Sequence, residues 1–165
     1  MADPMERHGE VTTRSKVEAE PTAVWEWATS AHGINFELGP LVRTGVPRRL
    51  EQGLAGVEPG EPLGRSWIRL LGVLPVDYDD IALERVEPGR GFLERSSLLT
   101  HRVWEHERTI EPSAAGCVVT DRIAFVPRLG LPPFVTRPIL AGLFRHRHAR
   151  LRRRFGGRYL GQAAA

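Results

Sequence analysis

The sequence predicts a single α+β domain, and three patterns lead to that fold class. Near the start of the chain Val11, Thr13, Ser15, Val17 and Ala19 are small or apolar while the residues between them are mostly charged, the period-two signature of a half-buried strand. From Leu41 to Val126 several β-prone runs alternate with Pro- and Gly-rich turns such as EPGEP and EPGRG, which reads as an antiparallel meander. After Pro127 the spacing becomes helical, with Leu140, Phe144, Leu151, Phe155 and Tyr159 on one stripe. A chain of 165 residues with 41% hydrophobic and 26% charged residues has enough apolar material for one core, which sets disorder aside.

The elements follow in order. Residues 1–9 are expected to be a flexible N-terminus, 10–160 the domain, and 161–165 a flexible tail. After the first strand, Pro21 suits a first helical turn, and Val24, Trp25 and Ala28 share a helical face. His32-Gly33 is read as an interruption, with Ile34, Phe36 and Leu38 forming a second short helix or turn that stops by Gly39-Pro40. Strands are expected over Leu41–Val46, Arg65–Leu71, Val76–Val86, Phe92–Leu99, Arg102–Ile110 and Cys117–Val126, with Gly45–Gly64 as a mobile loop. One long helix then closes the fold, and Gly156-Gly157 marks its end or a break.

Charge and cysteine content narrow the classes of function. The net charge is +3, yet from Arg137 onward there are eight arginines and no Asp or Glu, so the excess positive charge is C-terminal. No aromatic platform or recognised module accompanies these arginines, which argues against nucleic acid. The helical stripe predicts that most of Arg145, Arg147, Arg150, Arg152, Arg153 and Arg154 form a solvated outward face, able to touch an anionic membrane transiently. The opening MADPMERHGE has no apolar core of a signal peptide, and no run approaches the ~18 apolar residues of a membrane span, so a cytoplasmic location is expected. A lone Cys117 fits a reducing compartment and makes a structural zinc site improbable.

The stretch VWEHERTI raises a more specific question, which is where His106 points. With the turn placed in EPSAAG and Ile110 opposite Cys117, the register sets His106 against Asp121, Arg108 against Val119 and Trp104 against Ile123. The other face then opposes Glu105 to Arg122 and Glu107 to Thr120, a charged surface suited to water, so His106 faces inward toward Asp121. Such a pair can be a structural unit, a general acid/base or a polar handle for a ligand, and spacing does not separate the three.

The segments PTAVWEWATSAHGIN, GRSWIRLLGVLPVDYDDIALERVEPGRGFLERSS and WEHERTIEPSAAGCVVTDRI resemble a bacterial branch of the SRPBCC superfamily, from about Glu10 to Tyr159. That superfamily includes START-like lipid-binding domains, polyketide cyclases and pollen-allergen relatives. The resemblance implies a helix-grip fold, in which a curved antiparallel sheet wraps a long C-terminal helix, two short helices follow the first strand, and a ligand cavity lies between sheet and helix. Candidate ligand-binding residues are then Trp25, Trp67, Tyr78, Trp104, His106, Arg108, Asp121, Phe144 and His148. The leading expectation is binding of a hydrophobic or aromatic small molecule, such as a lipid, polyketide or quinone-like compound, with no cofactor. The alternatives are a polyketide cyclase or dehydratase using His106 and Asp121 as its catalytic pair, and an interaction module acting through the arginine-rich helix.

Other constellations are weaker. Asp77 and Asp79 share a strand face that Asp80 does not, which reads as a solvated strand end, and no metal is expected there. His146 and His148 diverge on a helix and cannot chelate one ion. Ser96 or Ser97 lacks the elbow motif of a nucleophilic serine.

Overall fold

The computed structural model describes residues 9–51, 53–54, 57–128 and 132–164. Strand β1 (Gly9–Val17) is followed by helices α1 (Pro21–Ala28) and α2 (Ala31–Leu38). A short strand β2 (Val42–Thr44), a 3-10 turn (Arg48–Leu50), then β3 (Pro62–Leu70), β4 (Leu74–Glu87), β5 (Gly91–Leu98), β6 (His101–Ser113) and β7 (Gly116–Pro127) come next. Helix α3 (Pro133–Phe155) and a last strand β8 (Arg158–Ala164) complete the chain. The strands form one antiparallel sheet in the order β2-β3-β4-β5-β6-β7-β1-β8, with α3 laid against β1, β7 and β8.

Alternation along the strands builds the core. Val11, Thr13, Ser15 and Val17 of β1 and Cys117, Val119, Asp121, Ile123 and Phe125 of β7 are all buried on the helix side. Leu151 of α3 joins Val17, Val24, Ile110, Cys117 and Val119 in one cluster, while Leu140 and Phe144 join Val11, Ile123 and Phe125 in another. The helical stripe predicted from Leu140, Phe144 and Leu151 is therefore the face that α3 buries.

The β6–β7 register differs from the expected one by two residues. Ser113 pairs with Gly116 across a two-residue turn, which places His106 against Ile123, Arg108 against Asp121 and Trp104 against Phe125. A shift of two preserves every side chain's face, because the strand period is two. Glu107 accordingly meets Arg122 on the outer surface, and His106 still points inward.

Several boundaries are corrected. His32-Gly33 does not interrupt α2 but lies within it: the break falls at Thr29-Ser30, where the Ser30 hydroxyl accepts a hydrogen bond from the Gly33 N–H at 2.9 Å. A Cβ on Gly33 would come within 1.9 Å of the Trp27 carbonyl oxygen, so glycine is required by the close approach of α1. Gly33→Ala is expected to lower stability by about 1–3 kcal/mol, read as a lowered midpoint in thermal unfolding. The Gly45–Gly64 segment, expected to be a mobile loop, is anchored: Leu50, Leu54 and Leu63 are buried against Leu83, with residues 52, 55 and 56 outside the described residues. Tyr159 is not on the helix stripe. Gly156, at φ 76°, ends α3, and the chain returns as β8 along β1, so residues 161–164 belong to a strand where a flexible tail was expected. Residues 1–8 lie outside the described residues, and Gly9 already belongs to β1.

Candidate functional site

Between α3, α2 and the inner faces of β4, β5 and β6 lies a cavity of about 370 Å³. Its walls are mainly apolar, with Ile68, Leu83, Phe92, Leu98, Leu140 and Phe144 among them. Ile139 and Val76 also line it and are 65% and 42% exposed, so the lining reaches the surface at their end.

A polar strip crosses this apolar wall. Strand parity brings Asp77 and Asp79 of β4 to the same side as Ile81 and Leu83, and Glu94 of β5 to the same side as Phe92, Ser96 and Leu98. Asp77 and Asp79 are thus interior residues and not a solvated strand end; Asp80 alone faces out, where it pairs with Arg65. His101 reaches the cavity because a register irregularity between His101 and Val103 offsets it from the alternation that His106, Arg108 and Ile110 follow. His106 completes the strip, its ring held edge-on by Phe92 and Phe144 at centroid distances of 5.2 and 5.3 Å.

Behind His106 stands a buried ionic cluster. Arg108 donates from Nε to Asp121 Oδ1 at 2.7 Å and from Nη2 to Asp121 Oδ2 at 2.6 Å. It also reaches Glu37 through Nη1 and Nη2 at 3.1 and 2.8 Å. Arg147 of α3 adds a bond to Glu37 at 3.2 Å. Asp121 further accepts from His106 Nε2 at 2.9 Å and from His148 Nε2 at 3.1 Å. Ser15 accepts from Arg152 at 2.8 Å, leaving its own proton for His148 Nδ1 at 2.9 Å. Burial is the largest single influence on the Asp121 carboxyl and would raise it, but the Arg108 guanidinium and the His106 imidazole together outweigh it and hold that carboxyl well below the usual carboxylate range. The same carboxylates hold Arg108 well above its ordinary value against the effect of burial.

On the cavity side the balance is different. Burial, reinforced by the Glu94 charge, pushes the Asp79 carboxyl up to about 10, so it is neutral at pH 7. Burial opposes ionisation of Glu94 as well, yet the His106 imidazole and the Asp79 proton together lower it. A neutral carboxyl, a carboxylate and an imidazole thus run side by side from the cavity to the buried Asp121, with His106 Nδ1 3.8 Å from Glu94 Oε2.

The residues expected to form the ligand site fall into three groups. Trp104, His106 and Phe144 line the cavity. Arg108, Asp121 and His148 do not; they are fully enclosed in the ionic cluster behind its wall. Trp67, Tyr78 and Trp25 lie elsewhere. Trp67 and Tyr78 pair edge-to-face on the outer surface of the sheet, where Trp67 is 47% exposed and Arg65 stacks on Tyr78. Trp25 packs between the Val17 and Leu63 clusters. Asp79, Glu94, His101 and Glu37 were not anticipated. Parity pointed to the first two, since Asp79 shares a face with Leu83 and Glu94 with Leu98, but Glu37 and His101 depend on tertiary packing and on an irregular strand.

The arginines of α3 are not a uniform solvated face. Arg147 is buried, Arg150 donates to the Phe36 carbonyl at 3.0 Å and stacks on its ring, and Arg152 bonds Ser15. Arg145, Arg153 and Arg154 are the exposed members. No helix among the described residues is long and apolar enough to cross a membrane.

The family model described as "Domain of unknown function (DUF8410)" matches residues 15–155. No curated protein matches the chain. Among solved structures, a protein from Chromobacterium violaceum is similar at a TM-score of 0.69 and 12% identity, over 90% of this chain and 98% of that one. A START superfamily protein from Mycobacterium smegmatis follows at a TM-score of 0.67 and 10% identity, over 89% and 97%. The di-domain ARO/CYC StfQ from the steffimycin biosynthetic pathway is similar at 0.62 and 10%, over 88% of this chain and 51% of StfQ, so the chain spans about half of that protein.

Proposed function

Because this chain belongs to the family of the domain of unknown function DUF8410 and has the helix-grip fold of the SRPBCC superfamily, we propose that it binds a hydrophobic or aromatic small molecule between sheet and α3. The observation that carries the proposal is the cavity itself, about 370 Å³, apolar over most of its wall and crossed by one polar strip. Apolar burial supplies the affinity of such a site, and a few fixed polar groups supply orientation. Of the residues expected from the sequence, Trp104 and Phe144 serve as apolar wall and His106 as a polar contact. Arg108, Asp121 and His148 act through His106 by fixing its ring.

Nile red, a neutral apolar dye, is expected to bind with enhanced fluorescence. Ile68→Trp, which places an indole in the cavity, is expected to weaken that binding at least ~10-fold while circular dichroism stays unchanged. Unchanged dye binding in the folded variant would remove the cavity as the site. Native mass spectrometry of protein purified from its own host is the complementary measurement, since a retained small molecule identifies the ligand directly.

A second reading is favoured by the line of Asp79, Glu94, His106 and Asp121, which joins a neutral acid at the cavity to a buried carboxylate. In a cyclase or dehydratase of polyketide type, the cavity would hold a flexible chain in a reactive shape while His106 moves a proton. His106→Ala separates the two readings: in an enzyme turnover falls by about 10²–10⁴-fold with ligand affinity nearly kept, whereas a pure binder loses only affinity.

A further inference from the structure

Among the described residues, few buried polar side-chain atoms lack a hydrogen-bond partner, and those that do include His101 Nε2 and Arg147 Nε, both on residues lining this one cavity. Buried polar groups are nearly always paired, so two on one apolar wall mark positions where a ligand's polar groups complete the bonding. His101 and Arg147 are each more than nine-tenths buried.

The hydrogen-bond pattern decides what each atom needs. Asp77 accepts from the backbone N–H groups of Tyr78 at 2.8 Å and Leu99 at 2.9 Å, and from the Thr100 hydroxyl. With its proton directed at Asp77, the Thr100 oxygen accepts from His101 Nδ1–H at 2.8 Å, which leaves His101 Nε2 as a bare acceptor. Burial lowers the His101 imidazole below its ordinary value, in keeping with the neutral ring that this pattern requires. Arg147 Nε–H is a donor and nothing else, and the positive charge of its guanidinium is already met by Glu37. The strip therefore asks for one donor and one acceptor. Charge selects further, because Asp77 and Glu94 face the same cavity, and an anion there would meet carboxylates in a weakly screened interior.

We propose that the cavity selects an uncharged apolar molecule bearing both a hydroxyl and a carbonyl group, with His101 accepting from the hydroxyl and Arg147 donating to the carbonyl, and rejects carboxylates of the same shape. This rests on the binding reading above and specifies its ligand class.

Three aromatic probes test it on the intact protein at pH 7 by isothermal titration calorimetry: 6-acetyl-2-naphthol, 6-hydroxy-2-naphthoate and 2-acetylnaphthalene. The hydroxy-ketone is expected to bind at least ~10-fold more tightly than the isosteric carboxylate, and several-fold more tightly than the ketone without a hydroxyl. His101→Phe is expected to erase the preference for the hydroxyl while Nile red still binds. If that variant does not fold, His101→Gln, which keeps an acceptor, takes its place and is expected to retain the preference. Equal or tighter binding of the carboxylate would overturn the ligand class while leaving the cavity reading intact, and so would equal binding of the two ketones. Failure of Nile red and all three probes to bind would overturn both together.

Discussion

Arg108→Met is expected to destabilise the protein by about 3–5 kcal/mol, the largest single effect on its fold. Arg108 is 1% exposed and is the only group that bridges Glu37 to Asp121 among the described residues. Methionine matches its length but leaves two carboxylates enclosed with their principal counter-charge gone, and an uncompensated buried charge is far more costly than a missing contact. The effect has a pH signature. With Arg108 present, the depressed Asp121 carboxyl contributes stability that is complete above the ordinary carboxylate range and is lost only as pH falls toward its much lower folded value. Without Arg108, burial would raise that carboxyl, and acid unfolding should begin at higher pH. Urea unfolding at pH 7 and an acid titration followed by circular dichroism measure both. Combining Arg108→Met with Glu37→Gln and Asp121→Asn should restore part of the loss; a single variant as stable as the parent would show that the cluster does not hold the fold.

Asp79→Asn should act in the opposite direction and stabilise the protein at pH 9, by at most about 1.4 kcal/mol for each pH unit above the unfolded ionisation. An unfolded aspartate ionises near pH 4, whereas the folded carboxyl, buried beside Glu94, ionises only at about 10. Between those values the folded chain holds a proton that the unfolded chain releases, so stability declines as pH rises through the window. Asparagine cannot ionise, and its amide keeps a donor facing Glu94. The variant's advantage should therefore grow from pH 5 to pH 9 and vanish near pH 4. Urea midpoints at three pH values would reveal it, and parallel curves for parent and variant would mean that Asp79 is ionised in the folded state. If Asp79 is a proton donor to a substrate, the same variant loses turnover while gaining stability, a combination that a purely structural carboxyl would not produce.

Particular residues show how far the sequence was legible. Alternation in β1, β6 and β7 gave the correct inward face, and His106 meets Asp121 even though the register is displaced by two. The displacement was invisible because both registers bury the same residues; only the two-residue turn at Ala114-Ala115 distinguishes them. The family resemblance implies Trp67 and Tyr78 as cavity residues, whereas the alternation of Asp77, Asp79, Ile81 and Leu83 places Tyr78 on the outer face, with Trp67 beside it. β8 carried little strand signal, because RYLGQAA has neither alternation nor β-branched residues and forms by pairing with the exposed edge of β1.

By itself, then, the amino-acid order determined the class of the fold, the order of its main elements as far as α3, the buried stripe of α3 and the inward direction of His106. Those properties follow from local periodicity, which is written along the chain. Only the tertiary structure decided that Glu37 reaches Arg108 from 71 positions away, that Arg147 turns inward from an arginine-rich helix, and that an irregularity in β6 turns His101 into the cavity. Those depend on which surfaces meet in space, where burial and charge are settled jointly by residues far apart in sequence.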